Sequence, residues 1–170
     1  MVYLAHRGSW RTGGINGQGP ARALYAGEGG NLFKPETTYD FEAGAKFNGR
    51  VMGIPLRANL AVYNPIIKDA QLVIYVTTPA QFAIGGAPAL QALTVNIPKA
   101  RVRGFELDGS TNLTSWLELG GSLTHTDARF LDGSATLFGA TQIYGTYADT
   151  PRWSGTVYAA LTLPLPKSAG

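Results

Sequence analysis

Apolar and polar residues alternate without a break over residues 39–47 of the chain. One parity holds three aromatic residues and two alanines, whereas the other holds Asp40, Glu42, Gly44 and Lys46. Successive side chains of a β-strand point to opposite faces, so the pattern predicts a strand with one apolar and one polar face. Asn48 and Gly49 follow at once and suit a tight hairpin turn, and a second alternating arm covers residues 56–63. Each arm is about ten residues long, the length of a tilted strand that crosses a bilayer.

Residues 2–10 predict a short strand of ambiguous parity, and alternation predicts further strands over residues 99–108, 117–124 and 153–163. Residues 71–77 resume the second arm after Pro65, which interrupts the ladder because proline has no N–H to donate. Arg101 and Arg103 share the parity of the apolar positions that follow them. We interpret this mixture as a change of parity and expect a bulge or kink at Gly104. The whole pattern indicates six membrane-crossing strands.

The connections between these strands alternate in length. Long connections are predicted over residues 13–33, 78–93 and 130–150, and short turns at residues 48–49 and 109–113. Bacterial membrane barrels have short turns on the periplasmic side and longer loops outside. The pattern therefore predicts an all-β fold, an antiparallel up-and-down meander that forms part of a transmembrane β-barrel. A soluble all-β binding domain, such as a sandwich, and a passive porin-like barrel remain as alternatives.

Composition narrows the function classes. Of the 170 residues 45% are hydrophobic and only 15% are charged, against roughly 25% in an average soluble domain. No apolar run approaches the roughly eighteen residues of a transmembrane helix. The chain has no cysteine, and its basic residues are scattered, so we expect no disulfide and no nucleic-acid partner. No metal-ligand spacing and no nucleophile motif occur, and we expect no metal, no cofactor and no enzymatic activity.

The two ends of the sequence suggest a fragment. Residues 1–4 are already strand-like and no signal peptide precedes them, although an outer-membrane protein needs one. The last residues stop at a turn just after a strand. Either residues 1–170 start inside a longer chain or the protein is not exported, and the appearance of both ends favours a fragment.

Several short segments carry a family resemblance. They are Arg7-Gly8 with the stretch 11–16 (RTGGIN), Phe33-Lys34-Pro35-Glu36 leading into residues 39–46, residues 56–63 with 68–71 (KDAQ), residues 100–107 (ARVRGFEL), residues 119–128, and Thr150-Pro151-Arg152-Trp153. In this order and spacing they resemble the C-terminal half of the barrel of a TonB-dependent outer-membrane receptor. The matches span nearly the whole chain.

The resemblance implies a barrel of about 22 strands around a lumenal plug, of which residues 1–170 form a part. The plug, the energy-coupling box and the terminal aromatic strand have no counterpart here. It also implies active uptake of an iron–siderophore complex or similar large nutrient across the outer membrane of a Gram-negative bacterium. The implied partners are membrane lipid, the receptor's own plug and remaining barrel strands, TonB through the missing N-terminal part, and a ferric siderophore or similar ligand.

Candidate ligand-binding residues are aromatic side chains and one arginine on the long connections, because rings and guanidinium groups suit an anionic, often aromatic, chelate. They are Arg22, Tyr25, Phe82, Phe138, Tyr144 and Tyr147. The alternative is that they only pack the loops.

Polar residues on the interior parity are a second set that could contact a plug: Asp40, Glu42, Lys46, Arg57, Glu106 and Glu118. Alternatively, these side chains only keep the barrel interior polar. Trp116, Trp153, Tyr39 and Phe47 suit the aromatic girdles of a membrane barrel.

Overall fold

The structure is a computed structural model and describes residues 1–17, 31–81, 83, 85–138, 140–147 and 149–163. Within these residues the secondary structure is entirely β, and no helix is long and apolar enough to cross a membrane. The strands are β1 (Val2–Arg11), β2 (Gly14–Ile15), β3 (Leu32–Phe33), β4 (Glu36–Val51), β5 (Ile54–Tyr63), β6 (Ile66–Thr78), β7 (Ala89–Asn112), β8 (Leu117–Asp132), β9 (Ser134–Leu137), β10 (Ala140–Ile143) and β11 (Trp153–Leu161).

One antiparallel sheet contains most of these residues. Its order is β1-β4-β5-β7-β8-β11, and β6 pairs with both β4 and β7. Strand β6 continues the course of β5 after Asn64 and Pro65, where the sequence predicts an interruption. The predicted hairpin is confirmed, since Ala43 pairs with Val62 and Phe47 with Ala58. The all-β meander with six successive crossing strands is therefore confirmed, and in the described residues its outer strands β1 and β11 each pair on one side only.

The positions of both short turns were predicted wrongly. Asn48 and Gly49 lie inside β4, paired with Arg57 and Leu56, and the hairpin turns at Met52 and Gly53. Both turn residues have positive φ, 52° and 83°, which matches the two-residue turn that follows the twist of a hairpin. The second short turn is also displaced, because β7 continues to Asn112 and the link runs over residues 113–116.

The predicted bulge at Gly104 is wrong, and the change of parity lies elsewhere. Ile67 and Ala70 both pack in the same core, although they are three positions apart and a regular strand would place them on opposite faces, and so do Ala100 and Ile97 on the neighbouring strand. Both strands therefore reverse their faces between these pairs, where Asp69 adopts a φ of +50°. The β7–β8 register shifts nearby, between Lys99 and Ala100, and it runs unbroken through Gly104.

Two of the long connections extend the sheet more than predicted. Strands β6 and β7 stay paired up to Thr78 and Ala89, so the link between them covers only residues 79–88. The connection after β8 contains the β9–β10 hairpin. These extensions enclose the buried core, formed by Ala70, Ile74, Leu93, Val95, Ile97, Ala100 and Leu137. The core therefore lies beyond one end of the six-strand region and not between its faces.

The six-strand region has two chemically different faces, which we name the apolar face and the polar face. In the stretch from the two short turns up to the row of Phe105, the apolar face has no Asp, Glu, Lys or Arg in the described part of the chain, and the histidine on it is His125, opposite Phe105. Its members there include Val2, Leu4, Ala43, Ala45, Phe47, Leu56, Ala58, Leu60, Val62, Phe105, Leu107, Gly109, Thr111, Leu117, Leu119, Gly121, Leu123, Gly155, Val157, Ala159 and Leu161. Many of the large ones are exposed, up to 86% at Leu4 and 93% at Val157. An apolar surface of this extent is unusual on a soluble monomer and indicates a membrane or protein contact.

Candidate ligand-contacting surfaces

The polar face gathers the second set of candidate residues. Lys46 lies opposite Asn59, and Asn59 lies opposite Asp108, so the even positions of β4 and the odd positions of β5 share this face. The register carries the same face across to β7 and β8. All six candidates lie on it: Asp40, Glu42, Lys46, Arg57, Glu106 and Glu118. Their contacts show which of them are held by neighbours.

Two tyrosine–glutamate pairs brace the polar face. The Tyr3 hydroxyl donates to Glu42 Oε1 at 2.7 Å, and the Tyr158 hydroxyl donates to Glu118 Oε1 at 2.9 Å. In each pair the ring lies across a glycine two residues beyond the glutamate, Gly44 under Tyr3 and Gly120 under Tyr158, where a Cβ would collide with the ring. In both pairs the glutamate therefore holds a tyrosine ring in the space that the missing side chain of a glycine leaves on the polar face.

Arg7 forms an ion-pair cluster at one edge of the polar face. Its Nη2 lies 2.7 Å from Asp40 Oδ2 and also contacts Glu42. The other oxygen of Asp40, Oδ1, is buried and has no hydrogen-bond partner. A buried carboxylate oxygen without a donor is costly, so Asp40 is the member of this set best placed to receive a hydrogen bond from a group outside the described residues.

Three of the six loop candidates lie in the described residues, and they lie together. Phe138, Tyr144 and Tyr147 all pack against the buried core. The Tyr147 ring stacks on Phe130 at 4.5 Å between centroids, and the Tyr144 ring meets Phe130 edge-on at 6.0 Å. Burial raises the pKa of both tyrosine hydroxyls. These side chains therefore have a packing role, which was the alternative considered above, while Arg22, Tyr25 and Phe82 lie outside the described residues.

A row of aromatic side chains, which we name the aromatic row, ends the apolar face on the side away from the two short turns. Phe105, His125 and Trp153 lie side by side across β7, β8 and β11, with 4.5 Å between the centroids of His125 and Trp153. Aromatic rings of this kind occupy the boundary between hydrocarbon and water in membrane barrels. From its start at Leu117 to the row at His125, β8 has nine residues, close to the roughly 9–11 residues that cross a bilayer.

Basic residues continue the apolar face beyond the aromatic row, and sequence reasoning missed them. We name Lys68, Lys99, Arg101, Arg103 and Arg129 the basic band. Lys99 lies opposite Lys68, Arg101 opposite Arg129, and Arg103 opposite Asp127, which is directly beyond the Phe105–His125 pair. Lys68 lies 5.3 Å from the ring centroid of Tyr39. The signal was visible in the sequence, because Arg101 and Arg103 share the parity of Phe105.

Asp127 binds the arginines of this band. It accepts from Arg129 Nη2 at 2.6 Å and from Arg103 Nε at 3.1 Å, and Arg101 Nη2 lies 3.8 Å away. The hydrogen bond from Arg129 is the main reason that the pKa of Asp127 lies below its usual range. In the described residues Asp127 is the only carboxylate that ion-pairs with the band, so the band keeps a positive excess.

The fold and its two faces define the class of the chain as part of a membrane-type antiparallel β-barrel. Comparison with family models matches residues 3–166 to the TonB-dependent receptor-like β-barrel. The chain belongs to this family.

Among solved structures the chain is similar to one titled copper transporter OprC, with a TM-score of 0.56 and 21% sequence identity. The similarity covers 77% of this chain but 18% of that transporter. At this identity the likeness supports the fold alone. A search among curated proteins found no match.

Proposed function

We propose that these residues form about six strands in the barrel of an outer-membrane, TonB-dependent active transporter of a Gram-negative bacterium. The observation that carries the proposal is the uncharged apolar face, one bilayer tall and ending at an aromatic row, in a chain of the TonB-dependent receptor-like barrel family. Such a face gains stability only if hydrocarbon covers it. The remaining strands and a plug would complete the barrel, and the plug would meet the polar face.

The proposed cargo is a ferric siderophore or a similarly large nutrient. Its support is the polar face, where Lys46 and Arg57 supply cations and Asp40 has a buried oxygen without a hydrogen-bond donor. The six loop residues Arg22, Tyr25, Phe82, Phe138, Tyr144 and Tyr147 remain proposed ligand contacts. Three of them also pack the loops, so their replacement has to be checked for folding before any loss of binding is interpreted.

Uptake by cells that carry the full-length protein tests the proposal. We expect energy-dependent accumulation of a radiolabelled ferric siderophore that disappears when TonB is deleted or the membrane potential is collapsed. A copper salt is the second cargo to compare, because the similar solved structure is titled a copper transporter. Uptake that persists without TonB would contradict active transport. Rapid passage of small sugars through vesicles that contain the protein would favour the porin-like alternative.

Expression of this chain without detergent tests the soluble alternative. The apolar face should make the chain aggregate, and the unpaired edges of β1 and β11 should add to this tendency. A monodisperse, soluble monomer would contradict the membrane placement.

A further inference from the structure

Strands β6 and β7 extend past the rest of the main sheet as a two-stranded hairpin. In the described residues β4 pairs with β6 only as far as Lys68, and β8 pairs with β7 only as far as Lys99. We name the paired residues beyond this level, 70–78 and 89–97, the arm. A hairpin of two strands alone is marginally stable in water, so contacts from outside the hairpin have to fix the arm.

Regular pairing is interrupted where the arm begins. Asp69 and Pro98 face each other at this level, and the register has no pair between them although it has pairs on both sides. Asp69 has a φ of +50°, and proline has no N–H to donate. The register between β7 and β8 also shifts next to this level, between Lys99 and Ala100. The arm is therefore joined to the sheet at its least regular level, where it can bend.

The two faces of the arm have different neighbours. The buried core lies on the inner face, because Ile67, which packs against that core, lies opposite Thr38 on the polar-face parity of β4. Gln71 and Asn96 lie opposite each other in the arm, and both residues that flank Asn96 along β7 belong to the core. Since side chains alternate along a strand, Gln71 and Asn96 place theirs on the outer face.

A narrow ribbon lies on this outer face. It consists of residues 12–16 and 31–34, which include β2 and β3, and we name it the strap. Asn96 Oδ1 accepts from the Lys34 N–H at 2.6 Å, and Asn96 Nδ2 donates to the Lys34 carbonyl oxygen at 3.0 Å. Gln71 Nε2 donates to the same oxygen at 3.0 Å and to the carbonyl oxygen of the first strap residue at 2.8 Å. Two amide side chains of the arm thus hold the backbone of the strap.

Asn16 makes the reciprocal contact from the strap to the arm. Its Oδ1 accepts from the Thr94 N–H at 2.7 Å, and its Nδ2 donates to the Thr94 carbonyl oxygen at 2.9 Å. The Asn16 N–H donates to the Asn31 carbonyl oxygen at 2.7 Å, which joins the two halves of the strap. Asn16 is only 8% exposed. Its buried amide therefore takes the place of a neighbouring strand beside Thr94.

The strap is rooted in two strands of the main sheet. Arg11 and Glu36 are the last pair between β1 and β4, and their side chains form an ion pair at 2.9 Å. Glu36 Oε2 also accepts from the Gln71 N–H at 2.7 Å, and Arg11 Nη2 donates to the Gln71 carbonyl oxygen at 3.3 Å. The arm is thus tied to β1 and β4 by contacts that do not pass through the irregular level at Asp69.

We propose that the strap is a conformational device that keeps the arm from bending at the level of Asp69. When the strap is docked, amide hydrogen bonds join the arm to β1 and β4, and when it undocks, the arm is held by its irregular base and by the packing on its inner face. Phe138, Tyr144 and Tyr147 pack against the core on that inner face, so the strap also fixes their position. The inference goes beyond the proposed function and holds for any cargo.

The first test measures whether the strap docks as one unit. Asn96→Ala in the detergent-purified, full-length protein removes the hydrogen bonds of Asn96 with Lys34 and with the Asp69 carbonyl oxygen. Hydrogen–deuterium exchange is then read at residues 13–17, which make no hydrogen bond with the Asn96 side chain. Each lost hydrogen bond corresponds to about a fivefold change in an opening equilibrium, so exchange there should accelerate on the order of a hundredfold. Unchanged exchange at residues 13–17 would overturn the proposal.

Asn59→Ala is the matched control, because it removes an amide hydrogen bond with Asp108 on the polar face and does not touch the strap. It should leave exchange at residues 13–17 as it is in the unmodified protein. An equal acceleration in Asn59→Ala and Asn96→Ala would overturn the proposal, since general destabilisation would then explain both.

The second test measures the arm itself. Spin labels are attached through Trp10→Cys on β1 and Leu90→Cys on the arm, two exposed positions, with any cysteine of the remaining chain replaced by serine. Pulsed electron paramagnetic resonance gives the distribution of distances between the labels. The distribution should broaden in Asn96→Ala and keep its width in Asn59→Ala. A distribution that stays narrow while the strap exchanges faster would overturn the role of the strap in fixing the arm.

A second variant covers the case in which Asn96→Ala does not fold. Gln71→Ala removes the two side-chain hydrogen bonds to the strap carbonyls and should accelerate exchange at residues 13–17 about twentyfold. Unchanged exchange in this variant would overturn the proposal. A protein that shows these effects but transports nothing contradicts only the proposed function, because neither test depends on uptake.

Discussion

Replacing Leu60 by arginine distinguishes a lipid-facing sheet from one that faces water. Leu60 lies on the apolar face between Ala45 and Leu107 and is 41% exposed. It is one row closer to the aromatic row than Ala58, which belongs to the middle row of the face. Two residues along a tilted strand correspond to about 5 Å along the membrane normal, so Leu60 lies well inside an apolar band about 25 Å tall.

The expected cost follows from this depth. Arginine at the bilayer midplane of a barrel costs about 2–4 kcal/mol and close to nothing at the interfaces. At the depth of Leu60 we expect about 2 kcal/mol, or roughly a thirtyfold change in the folding equilibrium. In water a half-exposed leucine on an open surface would tolerate arginine within about 0.5 kcal/mol. The two placements therefore predict clearly different free energies of unfolding.

Asn59→Arg is the matched control, since Asn59 is the adjacent residue on the polar face. Its side chain donates to Asp108 Oδ2 at 2.8 Å, and an arginine retains a donor for that carboxylate. The assay is urea-dependent folding of the full-length protein into lipid vesicles, followed by the heat-dependent gel mobility of folded barrels. Equal free energies of unfolding for the two variants, or a larger loss for Asn59→Arg, would refute the assignment of the two faces.

Further expectations concern the polar face, the basic band and the first turn. Gly44→Ala should lower the free energy of unfolding by about 1–3 kcal/mol, because the new methyl group meets the Tyr3 ring. In a Tyr3→Ala background the same change should be nearly neutral, and additive effects in this double-mutant cycle would contradict the contact. The pKa of Asp127 is lowered in the folded state, mainly by Arg129, so its stabilisation is present above the unfolded pKa of about 3.8 and is lost as the pH falls further. The stability difference between the unmodified protein and Asp127→Asn should therefore shrink below pH 3.8, and a difference that grows there would contradict this sign. Met52→Asn should raise the free energy of unfolding, measured in urea, by about 1 kcal/mol, because asparagine tolerates the positive φ of this turn better than methionine does, whereas a lowered free energy of unfolding would count against that explanation.

Local alternation predicted the fold class correctly, because the alternation of faces along a strand depends only on adjacent residues. In a strand of period two, the residues from Tyr39 to Phe47 assign their own faces without knowledge of the partner strand. Turn positions depend on more than the local dipeptide. Asn48 and Gly49 are good turn residues, yet pairing continues past them to Val51, since the register set by Ala43 with Val62 leaves Met52 and Gly53 at the reversal.

The parity of β7 shows where single-strand reasoning ends. Arg101 and Arg103 on an apolar parity look inconsistent if one face must be apolar along its whole length, and a bulge at Gly104 removes the inconsistency. The registers show that this face changes in composition along the strand: it is apolar between Phe105 and the second turn, and beyond Phe105 it carries Arg103, Arg101 and Asp127. The reversal of faces near Asp69 needs a matching reversal on the paired strand, so it is a property of two strands together.

The role of a side chain depends on where it lies along the strand relative to the aromatic row. This is also why the candidate ligand contacts could not be assigned from sequence. A tyrosine on a predicted loop, such as Tyr147, satisfies the chemistry of ligand binding and of packing equally well. Its position is decided by Phe130, which lies seventeen residues earlier on a strand that continues beyond the aromatic row. Charges on the outward parity carry clearer information, because hydrocarbon does not tolerate them and their first appearance locates the boundary. In this chain that boundary falls between Phe105 and Arg103, a step that the sequence alone displays.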